Sequence, residues 1–472
     1  MSRSFIGKQI EGVWHTAVCV YGQEYFYGGG ICVGAPAPAL TLAAQAVTGG
    51  SPRSAAAAAW FAEKEPARFE KLRAAARQTR GRLSPAAVEA LYGRRPRLSA
   101  SRIDRFASCR YAYFCQYGLR AKPYEPAGFT PPEIGTFLHY VLEQVVREAR
   151  ARGGFAAVSD EELHRLTDRF VADYVRTELN DFKEKSPRFV YLFRRLCGDA
   201  HRVVLDTARE LRLSDFEPLD FELDFAEASD IRPLELGEGE SAVSLTGIAD
   251  RVDGWLHEGK LYLRVVDYKT GQKKFSLSDV WYGMGLQMLL YLFALEADGA
   301  NRYGHEIVPA GVMYVPARDA LLSMTKDPED GEAEKKRADA LRRSGLVLDE
   351  PALLEAWEKG SEKRYIPVKF RKTADPEGLA SLEQLGLLGR HIRGTLGEMA
   401  KELHRGSIAA DPYYRSQQEN ACLNCDYFDA CHFAEGENGE RSRFLPPLSE
   451  DRVWGMLRER WARPAGEENG HG

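Results

Sequence analysis

The sequence predicts an α/β chain of the α+β kind, a mixed sheet wrapped by helices. Three observations carry that expectation. Two β-prone runs, residues 247–256 and 260–266, flank Glu258-Gly259, a dipeptide suited to a two-residue hairpin loop. A third β-prone run at 306–315 follows an apolar helical segment that starts near Gln287, which places a helix between two strands. Long stretches of helical character lie on either side, at 163–213 and 382–403.

The remaining elements follow in order. Residues 60–91 read as helical, and 98–118 lead into a helix on which Leu138, Val141, Leu142 and Val145 form an apolar stripe. His139 sits roughly 100° from the centre of that stripe, an edge position where a lone histidine is usually structural. Residues 220–225 read as a strand ahead of the hairpin. The charged stretch 326–343 reads as a solvated helix or a disordered insertion, and a polar tail follows Pro464. At 472 residues and 44% hydrophobic content the chain can bury a substantial core, in one large domain over 98–445. Residues 1–35 and a low-complexity linker with a helical lead-in at 36–97 precede it, and a helix with a polar tail at 446–472 follows.

Composition excludes several classes. Eight cysteines, four of them in a metal-like pattern, argue against a secreted disulfide scaffold. No apolar run is long enough to span a bilayer and the first residues lack a signal-peptide pattern, which places the chain in the cytoplasm. A net charge of −5 does not advertise nucleic-acid binding, so DNA contacts would come from local patches. These are residues 71–82, Arg94-Arg95-Pro96-Arg97, and 363–372, where basic residues alternate with apolar ones as in a strand along a phosphate backbone. Taken alone, each reads first as a solvated charged face.

The hairpin carries the chemistry. A two-residue loop at 258–259 sets Asp250 opposite Asp267, Cβ atoms roughly 5 Å apart, and sets Asp253 against Arg264 as an ordinary ion pair. Two facing carboxylates repel unless something positive intervenes. A hard divalent cation, Mg²⁺ or Mn²⁺, supplies that charge and carries waters, one of which can become a nucleophile. Lys269 projects from the same strand face as Asp267 and can orient that water or stabilise charge on a phosphate. Surface charges on an amphipathic hairpin would account for any one of these residues. The three in one register point to a metal-dependent nuclease.

The same residues carry a family resemblance. Gly247-Ile-Ala-Asp250 followed by Val266-Asp-Tyr-Lys-Thr-Gly271 resembles the RecB-type motif of the PD-(D/E)XK nuclease superfamily. Gln287-Met-Leu-Leu-Tyr291 resembles that family's Gln-x-x-x-Tyr helix, its two polar residues one turn apart on a single face. Gly135-Thr-Phe-Leu-His139 resembles its upstream helix motif. The resemblance implies a restriction-endonuclease-like mixed sheet flanked by helices. It implies metal held by His139, Asp250, Asp267 and the Tyr268 carbonyl, with Lys269 activating water and Gln287 and Tyr291 positioning the phosphate or the lysine.

Cysteines form a second constellation. Cys422, Cys425 and Cys431 make a C-x₂-C-x₅-C run, three thiolates where a tetrathiolate site needs four. Cys109 is the best candidate for the fourth; Cys115 is its rival, although its aromatic neighbours look more like helix packing, and Cys197 reads as a buried free thiol. Soft thiolates suit Zn²⁺ or an iron–sulfur cluster, and spacing does not choose between them. Residues 98–109 resemble the start of the nuclease domain in AddB-type subunits of bacterial helicase–nucleases, a likeness running from about residue 55 to 443. It implies a [4Fe–4S] cluster on Cys109, Cys422, Cys425 and Cys431 that staples the two ends of the domain. It also implies single-stranded or unwound DNA as substrate, an AddA-like helicase–nuclease partner, and exonuclease work in double-strand-break repair and recombination. No G-x-x-x-x-G-K-[ST] loop is present, so no ATPase activity is expected of this chain. Nucleases of CRISPR adaptation share both motifs, which leaves a stand-alone exonuclease as an alternative, and a catalytically silent DNA-binding subunit is another. Residues 12–30 resemble part of a PPPDE (DeSI-like) cysteine peptidase with its histidine at His15. Nothing after Ile31 continues that pattern, so the segment reads as an orphan fragment without peptidase activity, Cys19 and Cys32 being incidental.

Overall fold

A computed structural model describes residues 17–20, 23–27, 31–34, 42–43, 46, 51–76, 80–122, 131–182, 186–225, 231, 235–236, 243–271, 274–317, 332–370, 376–436 and 439–461. The chain divides into two compact units, 1–80 with 436–439, and 81–435 with 440–472. The first contains a three-stranded antiparallel sheet, Ala17–Val20, Gln23–Tyr27 and Ile31–Gly34, and the helices Pro52–Lys64 and Pro66–Ala76. Cys19 and Cys32 fall on its outer strands. His15 lies outside the described residues.

The second unit is built on six strands: β1 (Glu217–Asp224), β2 (Ile248–His257), β3 (Lys260–Lys269), β4 (Glu306–Pro316), β5 (Ser344–Leu348) and β6 (Leu379–Ala380). They lie side by side in chain order from β1 to β6. Pairing is antiparallel at β1–β2, β2–β3 and β4–β5, and parallel at β3–β4 and β5–β6, so the sheet is mixed. The Gln287–Tyr303 helix supplies the crossover that two parallel neighbours require, and Gly304 ends it in a left-handed conformation (φ 73°).

Local chemistry explains the hairpin. Glu258 (φ 49°) and Gly259 (φ 79°) both adopt the left-handed geometry of the turn that matches strand twist. The resulting register pairs Asp253 with Arg264 and Arg251 with Val266. Every residue of β3 from Leu261 to Tyr268 is buried, as a strand covered on both faces must be. Around the sheet, Ser159 and Glu162 form a capping box that starts Asp160–Thr177, and Ser381 and Gln384 form another that starts Leu382–His404. On the Pro131–Ala151 helix, Leu138, Val141, Leu142 and Val145 are all in the core. Among the described residues no helix is long and apolar enough to cross a membrane.

Three expectations are corrected. Residues 363–370 do not form a strand: the buried Glu358 carboxylate accepts the backbone N–H groups of Arg364 (2.6 Å), Tyr365 (2.7 Å) and Ile366 (2.8 Å), wrapping the loop around itself. Tyr365, Ile366 and Val368 anchor that loop in the interior, while Lys363 meets Glu355 at 3.0 Å and Arg364 meets Asp206 at 3.4 Å. The alternation that looked like a nucleic-acid-facing strand is therefore a set of apolar anchors with locally paired charges. Of the charged stretch, residues 332–340 are helical and Arg343 is buried rather than solvated, while 326–331 lie outside the described residues. Cys197, expected to be buried, is only half-buried on the Pro187–Arg212 helix.

Candidate metal centre

The ladder between β2 and β3 ends at the Arg251–Val266 pair, and two residues further along β3 the Tyr268 backbone N–H donates to the Asp250 side chain at 2.8 Å. His139, from the Pro131–Ala151 helix, reaches the same point. Its Nε2 lies 3.0 Å from the Tyr268 carbonyl oxygen and 3.6 Å from the Asp250 carboxylate. Glu222, on β1, completes the cluster with its carboxylate 3.7 Å from His139 Nδ1. Donor atoms of His139, Glu222 and Asp250 all lie within 4.8 Å of one another. Sequence reasoning missed Glu222. It sits between the pairs Phe221–Arg251 and Leu223–Ala249 with φ at 46°, a conformation non-glycine residues rarely adopt and that costs about 1–3 kcal/mol.

Asp267, nearly inaccessible, is held on both oxygens. Lys269 Nζ lies 2.6 Å from Oδ2, and Gln287 Nε2 donates to Oδ1 at 2.9 Å. Gln287 in turn accepts from Lys269 at 3.4 Å, so the three side chains close a ring. Tyr291, one turn along the helix, does something different. A Cβ on Gly247 would come within 2.1 Å of its hydroxyl oxygen, and its ring stacks on Phe225 at 4.9 Å with 8° between planes. Gly247 is thus required because the Tyr291 hydroxyl occupies the space a side chain would fill. Tyr291 locks the crossover helix onto the start of β2.

Electrostatics tie the two groups together. Burial, then the neighbouring Asp267 carboxylate, push the Asp250 carboxyl up to about 7, against the pull of His139, the Tyr268 N–H and Lys269. Burial alone would lower His139, but Glu222, Asp250 and the Tyr268 carbonyl raise it to about 9. Both shifts are upward and share a contribution: more carboxylate than positive charge is gathered here, and protons make up part of the difference. Oxygen and imidazole donors in that arrangement fit a hard divalent cation, which would displace those protons.

The other face of the same strands holds a buried ionic network. Side chains alternate along a strand, so Arg251 and Asp253 of β2, and Arg264 and Tyr268 of β3, point away from Asp250 and Asp267. Arg251 lies 2.8 Å from Asp253 and 3.0 Å from Glu210, Arg264 lies 2.8 Å from Asp253, and Arg343 lies 2.7 Å from Glu210 and also pairs with Asp206. Three guanidiniums and three carboxylates therefore balance in the interior. The Asp253–Arg264 pair, expected as an ordinary ion pair, is present and fully buried, with Glu210 and Arg343 coming from distant segments to complete the network. Burial alone would raise Glu210, yet Arg343, Arg251 and Arg264 hold it below the usual carboxylate range. Arg251 also donates to the Tyr268 hydroxyl, so Tyr268 has its phenol in the network and its backbone N–H and carbonyl on Asp250 and His139.

The cysteine residues gather elsewhere. Cys109, Cys422, Cys425 and Cys431 line one cavity together with Tyr427 and Phe428. Cys109 is extended (φ −165°, ψ 126°) at the break between the helices Ala100–Ser108 and Arg110–Tyr113. Asp411 accepts the Arg110 N–H at 2.9 Å and Arg443 donates to the Asp411 carbonyl at 2.8 Å, which fastens this break to the C-terminal segment. Cys115 is buried in the same apolar cluster but is not part of the cavity wall. Burial, then Cys109 and Cys425, raise the Cys422 thiol to about 11. Among the described residues, no three of these sulfurs lie within 4.8 Å of one another. A tetrahedral zinc site with 2.3 Å bonds would bring them to roughly 3.8 Å.

Known proteins resemble this chain over most of its length. Over 413 residues the chain is 31% identical to the B-type subunit of the ATP-dependent helicase/deoxyribonuclease of Thermoanaerobacter sp. (strain X514), covering 85% of this chain and 36% of that protein. It is 32% identical over 384 residues to the protein of the same name from Clostridium tetani (strain Massachusetts / E88), covering 79% and 33%. The chain spans about a third of the length of the curated relatives it matches. Residues 97–432, which include the sheet, the His139 helix and all four cavity cysteines, match the PD-(D/E)XK nuclease superfamily as a family, and to that superfamily the chain belongs.

Proposed function

We propose that this nuclease is a Mg²⁺- or Mn²⁺-dependent deoxyribonuclease. It acts as an exonuclease on a single strand delivered by an AddA-like helicase–nuclease partner in the cytoplasm, in double-strand-break repair and recombination. The observation that carries the reading is the cluster of His139, Glu222 and Asp250 donor atoms, with the Asp267 carboxylate, paired with Lys269, as a charged neighbour of Asp250. Asp250, Asp267, His139 and the Tyr268 carbonyl would hold the cation, with Glu222 added to that set. A divalent cation there would lower the pKa of a bound water and offset charge on the phosphate. Lys269 orients the attacking water or stabilises the pentacovalent phosphate, and Gln287 keeps Lys269 and Asp267 in register. Tyr291 fixes the helix that presents Gln287. The attack breaks one P–O bond and leaves a phosphate on one product and a hydroxyl on the other.

Cys109, Cys422, Cys425 and Cys431 would hold a [4Fe–4S] cluster in a structural role. The shared cavity supports a four-thiolate site, and the resemblance to AddB-type nuclease domains favours a cluster over a single zinc ion.

The test is cleavage of labelled single-stranded DNA with added Mg²⁺ or Mn²⁺. Asp267→Ala is expected to lose at least about a hundredfold in rate while still binding DNA. Cleavage at the wild-type rate by Asp267→Ala would refute the assignment, and an inert wild-type chain that binds DNA would favour a catalytically silent role.

A further inference from the structure

Parallel strands β3 and β4 stop at Lys269 and Pro316, and open sheets bind ligands in the crevice beyond the carboxyl ends of such strands. A cavity of about 360 Å³ lies there, within the range of small-molecule sites, and the chemistry described above leaves it unused. Thr270 and Gly271, which directly follow Lys269, form part of its wall. Tyr314 joins it to the metal centre: it pairs with Asp267 across β3 and β4, and its ring lies 5.9 Å from the Lys269 ammonium.

The lining has two characters. Phe275 offers a half-buried aromatic surface, and its backbone N–H donates to Ser344 Oγ at 2.7 Å, which pins this wall to β5. Lys274 and Arg342 are exposed at the rim and make no ion pair with any described residue. The acids nearby are largely answered for. Glu377 is paired with Lys369 at 3.0 Å, and half-buried Glu450 accepts the Gly378 N–H at 3.1 Å; among the described residues of this wall, Asp339 is the one fully exposed acid. An aromatic surface beside two unpaired cations, at the edge of a phosphodiester-cleaving centre, has the chemistry of a nucleotide: a ring to stack and a phosphate to neutralise.

We propose that this cavity is a nucleotide subsite. It takes the nucleotide next to the scissile phosphodiester, with the base against Phe275 and the flanking phosphate between Lys274 and Arg342. The proposal rests on the nuclease reading and adds to it a residue-level grip on the strand. It follows that a free nucleoside monophosphate occupies the same cavity and competes with the strand.

The full chain is assayed with a short single-stranded oligonucleotide and Mg²⁺, and 2′-deoxyadenosine 5′-monophosphate is titrated against it, both as inhibitor and by calorimetry. The double variant Lys274→Ala/Arg342→Ala is expected to raise KM and the inhibition constant together, each about tenfold or more, for loss of charge-assisted contacts to phosphate. Phe275→Ala is expected to weaken the nucleotide but not inorganic phosphate. Unchanged KM and inhibition in a folded, cleaving double variant would overturn the proposal while leaving the nuclease reading intact. If the wild type cleaves nothing, the nuclease reading falls, and calorimetry still decides: nucleotide binding lost in the double variant upholds the subsite, and no binding by the wild type ends it.

Discussion

Arg251→Met tests the interior of this fold most sharply. The exchange keeps side-chain length, so it leaves little cavity, but it removes one of three guanidiniums that balance three buried carboxylates. Arg364, partly exposed and 3.4 Å from Asp206, eases that end of the network; nothing comparable among the described residues reaches Asp253 or Glu210, both fully buried. Removing one partner from such a cluster leaves an uncompensated charge and costs about 3–5 kcal/mol, a large share of the roughly 5–15 kcal/mol that holds a domain together. Urea unfolding at neutral pH, followed by tryptophan fluorescence, measures it, since Trp357 packs against Arg264 at 4.8 Å. The double variant Arg251→Met/Asp253→Leu restores charge balance and should cost less than the sum of its singles by about 1–3 kcal/mol. A loss below about 1 kcal/mol for Arg251→Met, or strict additivity in the double variant, would refute the account of a balanced network.

Two further outcomes follow from the proposed metal centre and the thiols. A bound cation needs Asp250 ionised and His139 neutral, so binding releases protons held at about 7 and about 9 respectively. Mn²⁺ affinity should therefore fall about tenfold or more per pH unit below 7 and still climb between 7 and 9; a flat profile from about pH 5.5 to 8.5, read by titration calorimetry, would contradict the site. Cys425→Ser, purified without oxygen, should lose visible absorption and melt at lower temperature. Closure of a loop of more than three hundred residues contributes at most about 5–6 kcal/mol by chain entropy, and an unchanged spectrum and melting curve would count against a shared cluster.

How much of this was legible in the sequence depends on how far apart the determinants lie. The Glu258-Gly259 turn sets the β2–β3 register by itself, so the pairing of Asp253 with Arg264 could be read from ten consecutive positions on each strand. The Leu382–His404 helix announces itself through Ser381 and Gln384. Glu222 left no such signal: a register shift between Pro218 and Asp220 separates counting along β1 from position against β2, and only the folded sheet sets Glu222 beside His139. Charges on alternating strand positions read as a wet face, and what buries Arg251, Asp253 and Arg264 is the arrival of Glu210 and Arg343 from segments far away in the chain. The same limitation misread residues 363–368, whose alternation is set by Glu358 rather than by a neighbouring strand.

The cavity that gathers Cys109 with Cys422, Cys425 and Cys431 also sets a clock on synthesis. At roughly 5–20 residues per second, the first of these sulfurs emerges on the order of 15–60 s before the last three. All six strands of the sheet lie between them in the chain, so every strand is synthesised before that cavity can close. In the interval Cys109 is a thiol without its three cavity partners, and an oxidant reaching it then would spoil the site before its last ligand candidates are made.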